Sequence, residues 1–200
     1  MMAPGHLAHG VLAGLALAPF IPPTNHSWVS IALFVGTSAV GSLVPDLDHP
    51  RSRLTRLGGP ITWLIHRSLV VLSQSVYSWT RGPRDRIHGA SHRTLTHTPV
   101  FAMVVGAFLY SALWISGNPV RAYALIVAVG MTIGCLAHLI GDSCTHAGIP
   151  WLWPIKIHGQ RWRHRGIPGA LRFTTGGSIG EPLMTALSMA MCVVVWVFHW

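Results

Sequence analysis

Histidine and aspartate residues occur in four short clusters that interrupt an otherwise apolar sequence. The clusters are His6 with His9, Asp46 with Asp48 and His49, His92 with His97, and His138 with Asp142. Imidazole and carboxylate groups together form a ligand set suited to zinc, manganese or iron. A metal ion held by such groups can activate water for hydrolysis. The clusters therefore predict a metal site, if the fold brings them together.

The spacing within two of the clusters is suited to shared ligation. His138 and Asp142 are four residues apart, so on a helix both side chains project from one face. Asp46 and Asp48 follow Pro45, which favours a turn or extended segment in which alternate residues point the same way. So many donors exceed the needs of one ion. The sequence predicts two or three divalent ions, with zinc favoured and manganese as the alternative.

Each cluster also has a purely structural interpretation when it is considered alone. His138 could form a hydrogen bond between helices, and Asp142 could cap a helix end or pair with Arg93. Asp46 could form a turn after Pro45. These interpretations leave unexplained why four such clusters occur together, and metal binding is favoured for the set as a whole.

The composition indicates a membrane protein. Half of the 200 residues are apolar, only 10% are charged, and the mean hydropathy is positive. A soluble protein has roughly 25% charged residues. The formal charge of +9 could indicate nucleic-acid binding, but basic residues that flank apolar segments are more typical of the cytoplasmic side of a membrane protein. Nucleic acid is therefore a disfavoured partner and membrane lipid a favoured one.

Apolar runs predict the elements that position the clusters. They occupy residues 6–20, 28–44, 99–117, 119–141 and 182–200. We expect an all-α membrane protein of about five transmembrane helices, forming a single domain over residues 1–200. Residues 61–79 contain His66 and Arg67 and predict an interfacial helix. Thr98-Pro99 predicts an N-cap, and the pairs Gly10/Gly14 and Gly130/Gly134 predict close helix packing.

The distribution of basic residues predicts the orientation. Of the fourteen lysine and arginine residues, thirteen lie either between the second and third apolar runs or between the fourth and fifth. The exception is Arg121. By the positive-inside rule, both segments and the N-terminus are cytoplasmic in a bacterial-type inner membrane. All four clusters then lie on the cytoplasmic face, where His146 could support them. His26 and His199 lie on the other face and are excluded.

Two further charged residues on the cytoplasmic face could take part in catalysis. Glu181, in T-T-G-G-S-I-G-E-P, could be a ligand or a general base, or it could stabilise the dipole of the helix that follows. Arg93 lies between two candidate histidines and could hold a phosphate oxygen through its planar guanidinium. Its alternative partner is anionic lipid.

The ordered motifs resemble those of a known family. They are G-H-L-A-H-G, S-L-V-P-D-L-D-H-P, H-R-T-L-T-H and A-H-L-I-G-D-S-C-T-H-A-G-I-P-W-L-W-P. In this order, over residues 5–185, they resemble the LexA-regulated, membrane-bound metal-dependent hydrolases, or YdjM-like proteins. That family is in turn similar to zinc-dependent phospholipases C and nucleases, which are helical enzymes with a trinuclear zinc site. The resemblance assigns no role to residues 51–90.

The resemblance implies a set of site residues. The implied metal ligands are His6, Asp46, His92, His97, His138 and Asp142, with Asp48 and Glu181 as further candidates for ligation or catalysis. It also implies a hydrolase. Because Trp151 and Trp153 are typical interfacial anchors, we expect a lipid-borne or membrane-proximal substrate, either of phospholipid type or another phosphoester. Two alternatives stay open: a metal or proton transporter, and a non-catalytic scaffold.

Overall fold

In the computed structural model, which describes residues 2–22, 26–85, 92–176 and 179–199, seven α-helices account for most of the chain. The helices are α1 (Ala3–Leu17), α2 (Trp28–Gly41), α3 (Arg53–Leu57), α4 (Gly59–Thr80), α5 (Pro99–Ile115), α6 (Ala124–Ser143) and α7 (Gly180–His199). Short 3-10 helices span Ala18–Phe20, Pro45–Asp48, Leu95–His97, Val120–Tyr123 and Gly169–Leu171. β-structure in the described ranges consists of three isolated bridges. Arg86, Ser91, Gly177, Ser178, the side chain of His199 and Trp200 lie outside the described parts.

Three described segments are long and apolar enough to cross a membrane. They are Trp28–Asp48, Val120–Ser143 and Gly180–Phe198. α5 is apolar but has 17 residues, and α1 has 15. At 1.5 Å per residue these two helices reach only about 23–26 Å, whereas the hydrocarbon core is about 30 Å thick. Helix length therefore supports three of the five expected spans.

α6 lies at the centre of the bundle, against α1, α2 and α5, and α1 also packs against α7. Glycine residues allow α1 and α6 to pack closely against α2. A Cβ added at Gly10 would lie 2.6 Å from Ser42 Cβ, and one at Gly134 would clash with the carbonyl oxygen of Ser38. Ser38 Oγ donates to the carbonyl of Gly10 at 2.7 Å. The prediction that these glycine pairs serve helix packing is confirmed.

The polar clusters lie where helices begin or end. α2 ends at Gly41 and leads into the 3-10 helix Pro45–Asp48. Thr98 Oγ1 accepts a hydrogen bond from the backbone N–H of Phe101 at 3.1 Å, so the predicted N-cap of α5 is confirmed. α6 continues to Ser143, which puts two candidate ligands in its last two turns. One end of the bundle thus gathers all four clusters.

α4 is the helix expected at residues 61–79. Polar side chains lie on its buried side and apolar side chains on its exposed side, which is the reverse of a helix in a soluble protein. Its buried residues include His66 and Ser73, whereas Trp63, Leu64 and Leu72 are exposed. The buried side packs against the 3-10 helices that carry two of the clusters. Apolar side chains that face outward are suited to contact with lipid, as an interfacial helix requires.

Substitution of Gly134 by Ala is expected to destabilise the protein by about 1–3 kcal/mol, because the new Cβ meets backbone atoms of α2 that cannot move independently. Gly36→Ala is the matched control, since no described atom lies within 4 Å of a Cβ there. Thermal unfolding of detergent-purified variants measures both. Equal Tm values for the two variants would contradict close packing of α6 on α2.

Candidate metal centre

Six histidine and aspartate side chains meet at one end of the helix bundle. They form three overlapping groups whose ligand atoms lie within 4.8 Å of one another: His6 with Asp46 and His138, Asp46 with His92 and His97, and His97 with His138 and Asp142. The donors come from α1, α6, the 3-10 helix that follows α2, and the segment before α5, where His97 lies on a 3-10 helix and His92 precedes it. The sequence prediction that the four clusters converge on one place is consistent with this arrangement.

The group of His97, His138 and Asp142 is fully buried and has the dimensions of a metal site. The two Nε2 atoms lie 3.1 Å apart, and Asp142 Oδ2 lies 3.3 Å from His97 Nε2 and 3.6 Å from His138 Nε2. Donors around a tetrahedral zinc ion with bonds of 2.0–2.1 Å are about 3.3 Å apart. The separations of the three atoms are therefore in the range found between ligand atoms at a metal centre.

His6 provides the clearest indication that a ligand belongs here. Its ring stacks on His138 with centroids 3.6 Å apart and planes inclined by 12°. Its Nε2 lies 3.4 Å from Asp142 Oδ1. Both ring nitrogens are buried, and neither has a hydrogen-bond partner among the described residues. Because a buried polar atom without a partner is costly, coordination of a metal ion would remove a penalty that the protein alone leaves.

Asp46 occupies the middle of the donor set. Its Oδ1 lies 3.6 Å from His92 Nε2, 3.7 Å from His97 Nε2 and 3.6 Å from His138 Nε2. Its side chain is 18% exposed, and that of His92 is 32% exposed. These two residues therefore form the open side of the centre, whereas His6 and His138 are buried within it.

Hydrogen bonds behind the histidines fix the ring orientations. His138 Nδ1 donates to the carbonyl of Ser42 at 2.7 Å, and His92 Nδ1 contacts Asp48 Oδ1 at 2.7 Å. Thr96 Oγ1 donates to Asp48 Oδ2 at 2.7 Å and lies 3.0 Å from His97 Nδ1. A ring whose Nδ1 donates in this way presents an unprotonated Nε2, as metal ligation requires.

Asp48, a candidate ligand and catalytic residue from the sequence, lies behind His92 in the structure. It is outside the three groups of ligand atoms found among the described residues. Its carboxylate instead holds His92 and Thr96. Asp46 and Asp48 thus approach different nitrogens of the His92 ring, Nε2 and Nδ1 respectively. They lie on a 3-10 helix and not on an extended segment, in which alternate residues would share a side.

The electrostatics of the centre favour a cation. Burial by itself lowers the pKa of His97, but contacts with the carboxylates of Asp142 and Asp46 outweigh burial and raise the pKa to about 9. A proton is thus retained at this ring when no other positive charge is near. A metal ion would take the place of that proton, since ligation requires the deprotonated nitrogen.

Arg93 contacts the centre from the loop between its two neighbouring histidines. Its Nη1 donates to Thr145 Oγ1 at 2.7 Å, and its Nη2 pairs with Asp142 Oδ1 at 3.0 Å. Its backbone has a φ of 73°, a conformation that costs about 1–2 kcal/mol in a non-glycine residue. The pairing with Asp142 that sequence analysis gave as an alternative is present, and Arg93 also lines the cleft described below.

Glu181 is buried but belongs to a different part of the structure. Its carboxylate accepts hydrogen bonds from the backbone N–H groups of Met2 and, at 2.8 Å, Gly176. It is not a member of the ligand groups found in the described chain. The contacts support the helix-terminus interpretation, because the negative charge lies at the start of both α1 and α7.

A cleft of about 960 Å³ opens onto the exposed side of the centre. It is lined by Asp46 and His92 and by five basic side chains: His49, Arg51, Arg53, Arg93 and His146. Arg51 and Arg53 were not predicted as site residues, because they fall in the segment to which the sequence motifs assign no role. Their position directly after P-D-L-D-H-P is the signal that could have identified them.

Comparison with known proteins identifies the family. The model of the YdjM inner membrane protein family matches residues 1–200. The chain belongs to this family. Inner membrane protein YdjM of Escherichia coli strain K12 is 30% identical over 172 residues, covering 82% of this chain and 69% of that protein. YdjM of Shigella flexneri gives the same values. No solved structure matches the chain.

A more distant relative extends the YdjM family comparison to another bacterium. Uncharacterized protein YvsG of Bacillus subtilis strain 168 is 28% identical over 168 residues, covering 84% of this chain and 81% of that protein. The two YdjM relatives are named as inner membrane proteins, which agrees with the three apolar helices of this chain. The chain is therefore a member of a membrane-protein family, and its own structure contains a buried histidine–aspartate cluster that could hold metal.

Because Asp46 lies among the donors and Asp48 lies behind His92, substitutions at the two positions are expected to affect metal binding differently. Asp48→Asn is expected to lower the affinity for Zn²⁺ about 10–100-fold while leaving the number of ions bound at saturation unchanged, since it orients a ligand. Asp46→Ala is expected to lower that number. Asp85→Asn is the matched control, because Asp85 accepts backbone hydrogen bonds from Gly82, Arg161 and Trp162. Titration of metal-free protein with Zn²⁺ measures both the affinity and the number of ions bound. If Asp48→Asn bound fewer ions than the wild type, Asp48 would be a ligand.

Proposed function

We propose that this protein is a membrane-bound, metal-dependent hydrolase that cleaves phosphoester bonds in a substrate presented at the membrane surface. The observation that carries the proposal is a buried histidine–aspartate centre that opens through Asp46 and His92 into a cleft lined by arginines. The donor set is suited to zinc or manganese, and the cleft is suited to an anionic substrate.

Two ions is the number that the donor geometry supports best. An imidazole Nε2 binds one ion, so no histidine can serve twice. His6 and His138 can share Asp46 with one ion, and His92 and His97 can share Asp46 with a second. Asp142 is within 3.4 Å of His6 Nε2 and 3.3 Å of His97 Nε2, so its two oxygens are available to both halves. Asp46 and Asp142 could thus both contribute to the two halves of a two-ion centre.

The ions would act as Lewis acids on a phosphoryl oxygen and would lower the pKa of a coordinated water. The residues of the chain would perform the remaining tasks. Arg51 and Arg53 are exposed at the cleft and can form paired hydrogen bonds with phosphate oxygens. Arg93 holds Asp142, and thus maintains the position of a ligand while it contributes positive charge to the cleft wall. Asp48 holds the ring of His92.

The proposed membrane arrangement has the N-terminus, the centre and the basic loops on the cytoplasmic side. The positive-inside distribution of lysine and arginine supports this orientation. α1 and α5 would be the first and third spans of a five-span protein, and their short length would be accommodated by tilt or by local thinning of the bilayer. The outward apolar face of α4 would then lie in the cytoplasmic interface, next to the centre.

The positions of the donors argue against transport. A transporter has its binding site near the middle of the bilayer, but the donors here lie in the first turns of α1 and the last turns of α6. α5 and residues 182–198 contain no Asp, Glu, Lys, Arg or His. A non-catalytic scaffold stabilised by metal would show the same donors, and hydrolysis assays separate it from an enzyme.

Purified protein is expected to contain two ions per chain and to hydrolyse para-nitrophenyl phosphate or long-chain phosphatidic acid. A chelator should abolish hydrolysis, and zinc or manganese should restore it. His92→Ala should retain one ion, since only one half of the centre uses this ring, and should lose turnover. His26→Ala is the control and should match the wild type. Metal-loaded protein that hydrolyses no member of a broad phosphoester panel would identify a scaffold.

The topology is tested by reporters inserted at two loops. In the five-span arrangement a reporter near Arg84 is cytoplasmic and one at Gly117 is external, because α5 crosses the membrane between them. With only three spans both reporters would lie on the same side. An alkaline phosphatase or fluorescent protein fusion at each position distinguishes the two arrangements, and a fusion after Trp200 should be external in the five-span arrangement.

A further inference from the structure

A second cleft lies beside the arginine-lined cleft and has a different character. Its volume is about 620 Å³, and it is formed by the loop before α7 and the first turns of α7. We name it the chain groove, and its apolar lining consists of Ile167, Ala170, Phe173, Leu183 and Met184. These side chains are suited to hydrocarbon. The groove also has two basic residues: Arg172, whose Nε donates to the carbonyl of Ile167, and His146, which lies on the edge shared with the first cleft.

The chain groove is continuous with the candidate active site. His146, Phe173 and Thr174 line both clefts. A β-bridge joins Thr145 to Phe173. His146 N–H donates to the carbonyl of Phe173 at 3.2 Å, and Phe173 N–H donates to the carbonyl of Cys144 at 3.1 Å. The edge shared by the two clefts is therefore held by backbone hydrogen bonds to the end of α6.

The other end of the chain groove leads to the lipid-facing surface of α7. Leu183 is 55% exposed, and α7 is a candidate membrane span whose apolar window is only 17% buried. Leu187 and Val194 continue the exposed apolar surface along the same helix. An apolar path therefore runs from the arginine-lined cleft, over Phe173, to a helix surface of the kind that contacts acyl chains.

We propose that the chain groove binds the hydrocarbon chain of an amphiphilic phosphoester whose headgroup occupies the arginine-lined cleft. This inference rests on the proposed function and specifies its substrate as a lipid drawn from the bilayer along α7. Each methylene group transferred from water into an apolar site strengthens binding about fourfold. Chain contacts in the groove would therefore dominate the affinity, while the basic cleft would orient the phosphate toward the centre.

Leu183→Trp, which fills the groove, tests the inference against Met189→Trp, which adds the same ring at an exposed position of α7 that does not line the groove. We expect the KM for long-chain phosphatidic acid, relative to that for para-nitrophenyl phosphate, to rise about tenfold in Leu183→Trp, which corresponds to the loss of one or two methylene contacts. The same ratio should not change in Met189→Trp. Metal content checks that each variant is folded, and Met184→Trp provides a second substitution in the groove.

Cross-linking tests binding without turnover. Phosphatidic acid with a photoactivatable group in its acyl chain, in vesicles with wild-type protein, should label residues 167–174 and 180–184. Label elsewhere on the helices would contradict chain binding in the groove. Equal KM ratios in the two tryptophan variants, with both substrates hydrolysed, would also contradict it, and in that case the proposed function would still hold. Label in the groove without hydrolysis of either substrate would support chain binding and overturn the proposed function.

Discussion

The burial of two carboxylates among four imidazoles, at one end of an apolar helix bundle, is the constraint on which the rest of this structure depends. Removing an ionised carboxylate from water costs several kcal/mol unless an opposite charge or hydrogen bonds compensate for it. Asp142 is fully buried and Asp46 mostly so. Arg93 compensates for Asp142 in part, and cations at the imidazoles would compensate for the remainder.

This constraint requires a precise approach of the helices, and small residues provide it. Gly10 of α1 and Gly134 of α6 both pack against Ser38 and Ser42, which lie in the last turn of α2 and directly after it. The carbonyl of Ser42 also accepts the hydrogen bond that orients His138. The same contact zone therefore fixes the distance between helices and the direction of a ligand. Packing and metal binding are coupled because a larger residue at either glycine would displace the acceptor behind the ring.

Sequence patterns predicted which segments would meet, but they could not assign each side chain its role. The convergence of the clusters, the Thr98 cap and the glycine packing follow from local spacing and helix ends. Asp46 and Asp48 are the same residue type two positions apart, and only the 3-10 turn shows that one faces the donors and the other supports His92. Glu181 could not be assigned from sequence because its partners, the amides of Met2 and Gly176, are tertiary contacts.

The donors are unequally exposed, so the centre has one buried side and one side that opens to the cleft. His6, His97, His138 and Asp142 are inaccessible, whereas Asp46 and His92 border the cleft. In the proposed enzyme, a substrate would approach across the Asp46–His92 side, where the basic residues also lie. The buried donors would retain an ion, and the open donors would leave room for an exchangeable ligand. A centre with one closed and one open side is the arrangement that catalytic metal sites require and purely structural sites avoid.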